Sequence, residues 1–204
     1  MKKIGITGGI GSGKTTVCKI FEYFDIPVYY ADSQAKKIMT SNRSVKKQLK
    51  ELLGENAFYS NGKPNRNFIS SRIFSDKDLL AKMNDIIHPA VQLDADRWFE
   101  MLKQESSSKY VLKEAALLVE TGSYKSLNAL IVVSCPEDIR IHRVMKRDNL
   151  NFERVYNKIR SQLPEEEKVK VADFVIVNDG KSSLIPQVWS IHHKILNKYS
   201  PVIH

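Results

Sequence analysis

The sequence predicts an α/β fold: a doubly wound, five-stranded parallel sheet. Three observations support this prediction. A glycine-rich segment, residues 8–15, joins an apolar strand to an amphipathic helix. Five short apolar runs alternate with helical patterns, as in parallel sheets built from helical crossovers. The stretch between the second and third runs shows mostly helical periodicity. We therefore expect one domain over 1–204, with a helical insert at about 33–106.

The glycine-rich segment carries the strongest chemical signal in the chain. Residues 8–15 read GGIGSGKT and fit G-x-x-x-x-G-K-[ST], the phosphate-binding P-loop. Its glycines let backbone N–H groups turn towards an anion, and the N-terminus of the following helix adds positive potential. Lys14 provides a charge for the outer phosphates, and the Thr15 hydroxyl suits Mg²⁺. An ordinary glycine-rich turn is the alternative, but the flanking strand and helix favour binding of ATP or GTP. The predicted nucleotide contacts in the loop are Gly9, Ile10, Gly11, Ser12, Gly13, Lys14, Thr15 and Thr16.

Composition narrows the class of protein. The 204 residues are 42% hydrophobic, which is enough for a sizeable core. No apolar run is long enough to cross a bilayer, and the start of the chain does not resemble a signal peptide. The cysteines, Cys18 and Cys135, lie far apart in apolar segments and are interpreted as buried thiols. We therefore expect a cytoplasmic location and no contact with membranes.

The charge of +9 allows a nucleic acid, a membrane surface or small anions as partners. Five of the nine arginines fall within 21 residues, which favours a compact polyphosphate over a nucleic-acid track. Arg140, Arg143 and Arg147 share one face of a helix that begins after Pro136, at spacings i, i+3 and i+7. Arginines on a stripe suit bidentate phosphate recognition, although a solvated basic helix face would show the same pattern.

Acidic residues follow two predicted strands. Asp32 ends the second strand and would lie at the carboxyl edge of the sheet, where α/β folds bind ligands. The structural alternative is that Asp32 or Ser33 caps the next helix. Glu114 ends the third strand, where P-loop enzymes often keep a second carboxylate for Mg²⁺, but a salt-bridged glutamate is equally compatible with the sequence.

Helix boundaries in the insert follow from glycine and proline. Gly54 should end a helix that carries Val45 and Leu49. Ser75 is a candidate cap for a helix over 76–87, and the pair His88-Pro89 should end it, so that a second helix runs to about Gln104. The fourth and fifth strands are predicted at 129–133 and 173–178, and the whole arrangement is of the P-loop kinase type.

Eight segments, taken in order, resemble the dephospho-coenzyme A kinase family, whose members phosphorylate the ribose 3′-hydroxyl of dephospho-CoA in the last step of CoA biosynthesis. The resemblance covers nearly the whole chain. The segments are ITGGIGSGK (6–14), YAD (30–32), HP (88–89), LLVETG (117–122), R-x-x-x-R-D (143–148), RSQ (160–162), AD (172–173) and NDG (178–180).

The resemblance implies Mg-ATP and dephospho-CoA as ligands and assigns roles by position. Asp32 matches the aspartate beside the transferred phosphoryl and the acceptor hydroxyl, and Arg143 and Arg147 match arginines of a lid at about 137–165. Asn178 matches a residue near the adenine of ATP. The acceptor side is matched by His88, Leu117 and Glu120, and Thr7 is a further candidate for the acceptor ribose, or else a strand residue packed in the sheet.

Two positions depart from the family pattern. Glu114 stands where many members have aspartate, and Arg140 stands where a glutamine often begins the lid motif. Three other functions share the P-loop: another small-molecule kinase, a GTPase, and a non-enzymatic module that binds nucleotide or nucleic acid. The sequence after the fifth strand does not supply the N-K-x-D that reads guanine. The oligomeric state is not predicted.

Overall fold

The computed structural model describes residues 1–74 and 76–199, so the cap predicted at Ser75 lies outside the described residues. Five strands form one parallel sheet in the order β2-β3-β1-β4-β5, which confirms the predicted fold class. The strands are β1 Lys2–Thr7, β2 Val28–Tyr30, β3 Tyr110–Glu114, β4 Ala129–Ser134 and β5 Phe174–Val177. The helices are α1 Lys14–Tyr23, α2 Ala31–Ser41, α3 Arg43–Leu53, α4 Arg66–Phe74, α5 Lys77–Glu105, α6 Glu137–Asp148, α7 Phe152–Arg160, α8 Glu165–Lys170 and α9 Leu184–Tyr199.

The chain divides into two compact units. One unit, here called the sheet unit, comprises residues 1–30 and the chain from residue 106 onward. The other, here called the helical unit, comprises residues 31–105 and contains α2 to α5. Among the described helices, none combines the length and the hydropathy that crossing a bilayer requires.

Both faces of the sheet are covered in the sheet unit. Ile131 and Val133 of β4 pack on one face with side chains of α1 and α9, including Phe21 and Ile195. Leu130 and Val132 of the same strand pack on the other face with Leu118 and with Val169 of α8. A strand buried on both faces cannot show polar alternation, and this explains the continuous apolar run of β4.

The order of the strands creates a topological switch point at the carboxyl edge of the sheet. β1 lies between β3 and β4, and the segment after β1 leads to β2 on one side while the segment after β3 leads to β4 on the other. Such a switch point is where open α/β sheets bind ligands. The P-loop leaves β1 at this edge.

The helical unit confirms some of the predicted boundaries. α3 buries Val45, Leu49 and Leu53, begins at the cap Asn42 and ends at Gly54, whose φ is 98°. The Asn42 side chain accepts hydrogen bonds from the backbone N–H groups of Ser44 and Val45. The prediction that Asp32 or Ser33 caps a helix is wrong, because α2 begins at Ala31 and includes both. A carboxylate in the first turn still interacts favourably with the helix N-terminus.

The predicted break at His88-Pro89 is also wrong. α5 runs as a single helix of 29 residues with Pro89 inside it. Proline in a helix interior costs about 3 kcal/mol. Burial of apolar side chains on both sides of the proline offsets this cost. The buried side chains form a stripe at spacing i, i+4: Ile87, Val91, Ala95 and Phe99. Each large apolar side chain buried in this way contributes about 1.5–3 kcal/mol, so the stripe outweighs the proline.

Candidate active site

The P-loop closes on itself between β1 and α1. Ser12 N–H donates to the carbonyl of Gly9 at 3.1 Å. Lys14 is buried, and its ammonium donates to the carbonyls of Gly8 (2.9 Å) and Gly9 (3.3 Å). Gly13 precedes α1 with φ 92° and ψ 22°, the left-handed region that favours glycine. Hydrogen bonds within the protein itself therefore form the turn of the loop.

Asn178 supports the P-loop through a side-chain hydrogen bond. This residue directly follows β5 and is 8% exposed. Its Nδ2 donates to the carbonyl of Ser12 at 2.7 Å, and its backbone N–H donates to Ser134 O at 2.8 Å. A Cβ added to Gly13 would collide with Nδ2 of Asn178. The contact therefore requires both the amide at position 178 and a glycine at position 13.

Arg143 completes this support. Its Nη2 donates to Oδ1 of Asn178 at 3.2 Å, and its Nη1 donates to the Asn178 carbonyl at 3.4 Å and to Sγ of Cys135 at 3.3 Å. Burial raises the pKa of the Cys135 thiol, and the charge of Arg143 only partly opposes that shift. Cys135 and Cys18 are both buried and unpaired, as predicted.

The arginine stripe of α6 is divided among three environments. Arg143 lies beside the loop, as described above. The side chain of Arg147 is 61% exposed and forms a bidentate pair with Asp148, with N···O distances of 2.7 and 2.9 Å. The hydrogen bond to Asp148 raises the pKa of Arg147. Arg140 is buried at 7% exposure. The three arginines share one helix face but not one environment.

Three of the predicted acceptor residues lie in the sheet unit. Thr7 is fully buried and donates its hydroxyl to the carbonyl of Ala116 at 3.1 Å, across the ends of β1 and β3. Leu117 is 38% exposed. Glu120 pairs with the buried ammonium of Lys168 at 2.6 Å and accepts a hydrogen bond from the backbone of Leu163 at 3.2 Å. Their contact with an acceptor stays a prediction.

The other two predicted acceptor residues lie in the helical unit. Asp32 is exposed in the first turn of α2, two residues after β2 ends. His88 is exposed on α5, one residue before the proline. Both side chains are open to solvent, and their roles stay predictions.

Sequence reasoning assigned no role to two side chains that fix this region. Gln162 accepts a hydrogen bond from the backbone N–H of Ile10, in the P-loop, at 2.8 Å. Lys168 is fully buried and offsets the charge of Glu120. The RSQ segment contains Gln162, but no local pattern indicated its partner. A buried lysine inside an otherwise charged helix gives no signal until the fold is known.

The residues at this site fit a magnesium ion that protein oxygens and nucleotide phosphates would bind together. Thr15 is exposed in the first turn of α1, and the buried Glu114 ends β3 opposite Ile6 of β1. Within the described part of the chain, no three His, Cys, Asp or Glu side chains are grouped to hold a metal by themselves. Mg²⁺ is usually bound by one or two protein oxygens together with substrate phosphates, which agrees with this arrangement.

Comparison with known proteins identifies the family. The model of the dephospho-CoA kinase family matches residues 2–183. The chain belongs to the dephospho-CoA kinase family. A dephospho-CoA kinase of Bacteroides fragilis is 39% identical over 190 residues, 91% of this chain and 89% of that protein.

Solved structures agree with this family assignment. A Thermus thermophilus crystal structure superposes with a TM-score of 0.79 at 30% identity and covers 98% of each chain. A dephospho-CoA kinase from Campylobacter jejuni gives a TM-score of 0.69 at 25% identity, over 97% of this chain and 98% of that chain. ATP is the phosphoryl donor that membership of this kinase family implies.

The contact between Gly13 and Asn178 can be tested by adding one methyl group. Gly13→Ala should weaken ATP binding at least tenfold, because the new Cβ displaces the Asn178 amide and distorts the loop. Gly180→Ala is the matched control: its φ is also positive, at 78°, but no atom lies within 4 Å of the added Cβ. Both variants carry a backbone strain of about 1–2 kcal/mol. Titration calorimetry with ATP should separate them, and equal affinities would contradict the account.

Proposed function

We propose that this protein transfers the γ-phosphoryl group of ATP to the ribose 3′-hydroxyl of dephospho-CoA, giving CoA and ADP, the last step of CoA biosynthesis. The observation that carries the proposal is the family match over residues 2–183, which spans the P-loop and every segment assigned to the acceptor. The ligand is a small molecule. A cytoplasmic location and the lack of a nucleic-acid partner are part of the proposal.

The P-loop would hold the donor. Its backbone amides and the ammonium of Lys14 bind the β- and γ-phosphates, and the N-terminus of α1 adds positive potential. Thr15 and the phosphates would hold Mg²⁺, which neutralises charge on the phosphate oxygens when bound. Phosphoryl transfer depends mostly on positioning and charge stabilisation, so a loop with its shape set in advance is what the reaction requires.

Asp32 is the proposed catalytic acid–base residue. Its carboxylate would accept or orient the proton of the attacking ribose hydroxyl. The supporting observations are its exposure and its position two residues after the carboxyl end of β2, in the first turn of a helix. Thr7, His88, Leu117 and Glu120 are proposed to contact the acceptor, with Lys168 fixing the orientation of the Glu120 carboxylate.

Arg143 and Arg147 of α6 are proposed to act on the transferred phosphoryl. Arg143 is already fixed beside the loop by Asn178, whereas within the described part of the chain Arg147 pairs with the adjacent Asp148 alone, in solvent. Phosphate oxygens would replace Asp148 as the partner of Arg147 when the lid at about 137–165 closes over bound ATP around the fixed Arg140 and Arg143. Closure excludes water, which would otherwise compete as the acceptor. Asn178 would act on ATP through the loop, and its contact with adenine stays a prediction.

A panel of acceptors tests the proposed reaction. The protein is incubated with Mg-ATP and, separately, dephospho-CoA, a nucleoside monophosphate, shikimate and no acceptor. ADP should form stoichiometrically with CoA only when dephospho-CoA is present. Turnover with another acceptor but not with dephospho-CoA would replace the proposed substrate, and ATP binding without turnover on any acceptor would overturn the kinase assignment.

The role of Asp32 is tested by removing its charge. Asp32→Asn should fold and bind ATP with near-normal affinity but lose about 10²–10⁴-fold in kcat, the usual contribution of a positioned proton acceptor. Asp78→Asn is a matched control, because Asp78 is also an acidic residue in the first turn of a helix, in this case α5. A kcat for Asp32→Asn close to that of the control would remove Asp32 from the mechanism.

A further inference from the structure

Arg140 is a buried charge that the proposed reaction does not yet use. Its side chain is 9% exposed. Of the three arginines on the α6 stripe, Arg140 is the one that is buried. Burying a guanidinium is costly unless nearby groups offset its charge. Its surroundings therefore indicate what the charge does.

The P-loop is one of those surroundings. A Cβ added to Gly9 would collide with Nη1 of Arg140, and a Cβ added to Gly11 would lie 2.7 Å from the Arg140 carbonyl and 2.9 Å from Cγ2 of Val144. The first turns of α6 thus lie directly against the middle of the loop. The guanidinium is next to the backbone that wraps the nucleotide phosphates in the proposed function.

Two carboxylates approach the guanidinium without forming a hydrogen bond to it. Oε2 of Glu137 lies 3.8 Å from Nη2, and Oε2 of Glu165 lies 3.8 Å from Nε. Nε of Arg140 is buried and has no hydrogen-bond partner among residues 1–74 and 76–199. Glu165 is fixed by other groups: its Oε1 accepts from the Ser134 hydroxyl at 2.6 Å and from the backbone N–H of Cys135 at 3.2 Å.

These bonds fix a negative charge close to the start of the P-loop. Ser134 ends β4, the strand beside β1, and a Cβ on Gly8 would collide with the carbonyl of the preceding residue, Val133. A carboxylate at this place repels a triphosphate unless a positive charge lies between or beside them. Arg140 is a cation that lies close to both the carboxylate and the loop.

We propose that Arg140 and Glu165 form a positioning pair beside the P-loop: Arg140, which lies against Gly9, offsets the charge of the Glu165 carboxylate and so keeps the loop electrostatically favourable for the phosphates of ATP. The proposal rests on the proposed function only in taking ATP as the nucleotide. Because the loop binds the phosphates in both the ground state and the transition state, the pair affects KM for ATP and leaves kcat nearly unchanged.

Charge-changing variants of the full-length protein test the pair. Arg140→Gln should raise KM for ATP about tenfold with kcat within about twofold, whereas Arg140→Lys, which keeps the charge, should stay within about threefold of the wild type. Glu165→Gln keeps an acceptor for Ser134 and should lower KM about threefold. The double variant Arg140→Gln/Glu165→Gln should recover most of the affinity lost in Arg140→Gln. Arg43→Gln, at the exposed start of α3 in the helical unit, is the control for net charge.

The outcomes separate a positioning role from a structural one. Melting temperatures are measured for every variant, and a buried pair that only stabilises the fold would lower them without changing KM for ATP. Unchanged KM in Arg140→Gln, or a KM in Glu165→Gln that is equal to or above that of the wild type, would overturn the proposal. The KM of Glu165→Gln tests the proposal even if Arg140→Gln does not fold. Turnover of dephospho-CoA by the wild type is scored separately, so failure of the pair is distinct from failure of the proposed function.

Discussion

The side-chain amide of Asn178 is the contact on which the arrangement at the sheet edge depends. One end of the amide binds the Ser12 carbonyl in the P-loop, and the other accepts from Arg143 on α6. The backbone of the same residue extends the pairing of β5 with β4 by one hydrogen bond. A single asparagine thereby joins the sheet, the loop and the arginine helix. Because the amide is buried, loss of either hydrogen bond would leave an unsatisfied polar atom, at about 1–3 kcal/mol.

Burial separates the roles of three arginines that share one helix face. Arg140 is enclosed against Gly9, Arg143 is bound to Asn178 and Cys135, and Arg147 is exposed beside Asp148. A buried guanidinium with fixed partners acts on the shape and charge of the loop. An exposed guanidinium that pairs only with its neighbour can exchange that partner for a phosphate at little cost, because surface ion pairs are weak. One helix can therefore supply both a fixed support and a mobile cation.

The sequence was most informative where one physical requirement determines a pattern. The P-loop needs glycines, a lysine and a hydroxyl in fixed order, and burial on both faces makes β4 uniformly apolar. It was least informative where distant residues compete with a local rule. Pro89 predicted a break, but the apolar stripe on both sides of it keeps α5 continuous. Lys168, the partner of Glu120, lies 48 positions later in the chain (168 − 120), and Glu165, a partner of Arg140, lies 25 positions later (165 − 140). Both partners are on α8. No periodicity reports such pairs.

Asn178 holds the P-loop in place before nucleotide binds. Titration calorimetry of Mg-ATP with Asn178→Ala tests this role, with Asn197→Ala on the exposed side of α9 as the control. Asn178→Ala should remain folded but bind ATP at least tenfold more weakly, a loss of about 1.4 kcal/mol or more, while the control should match the wild type. A folded Asn178→Ala protein with wild-type affinity for ATP would contradict this role.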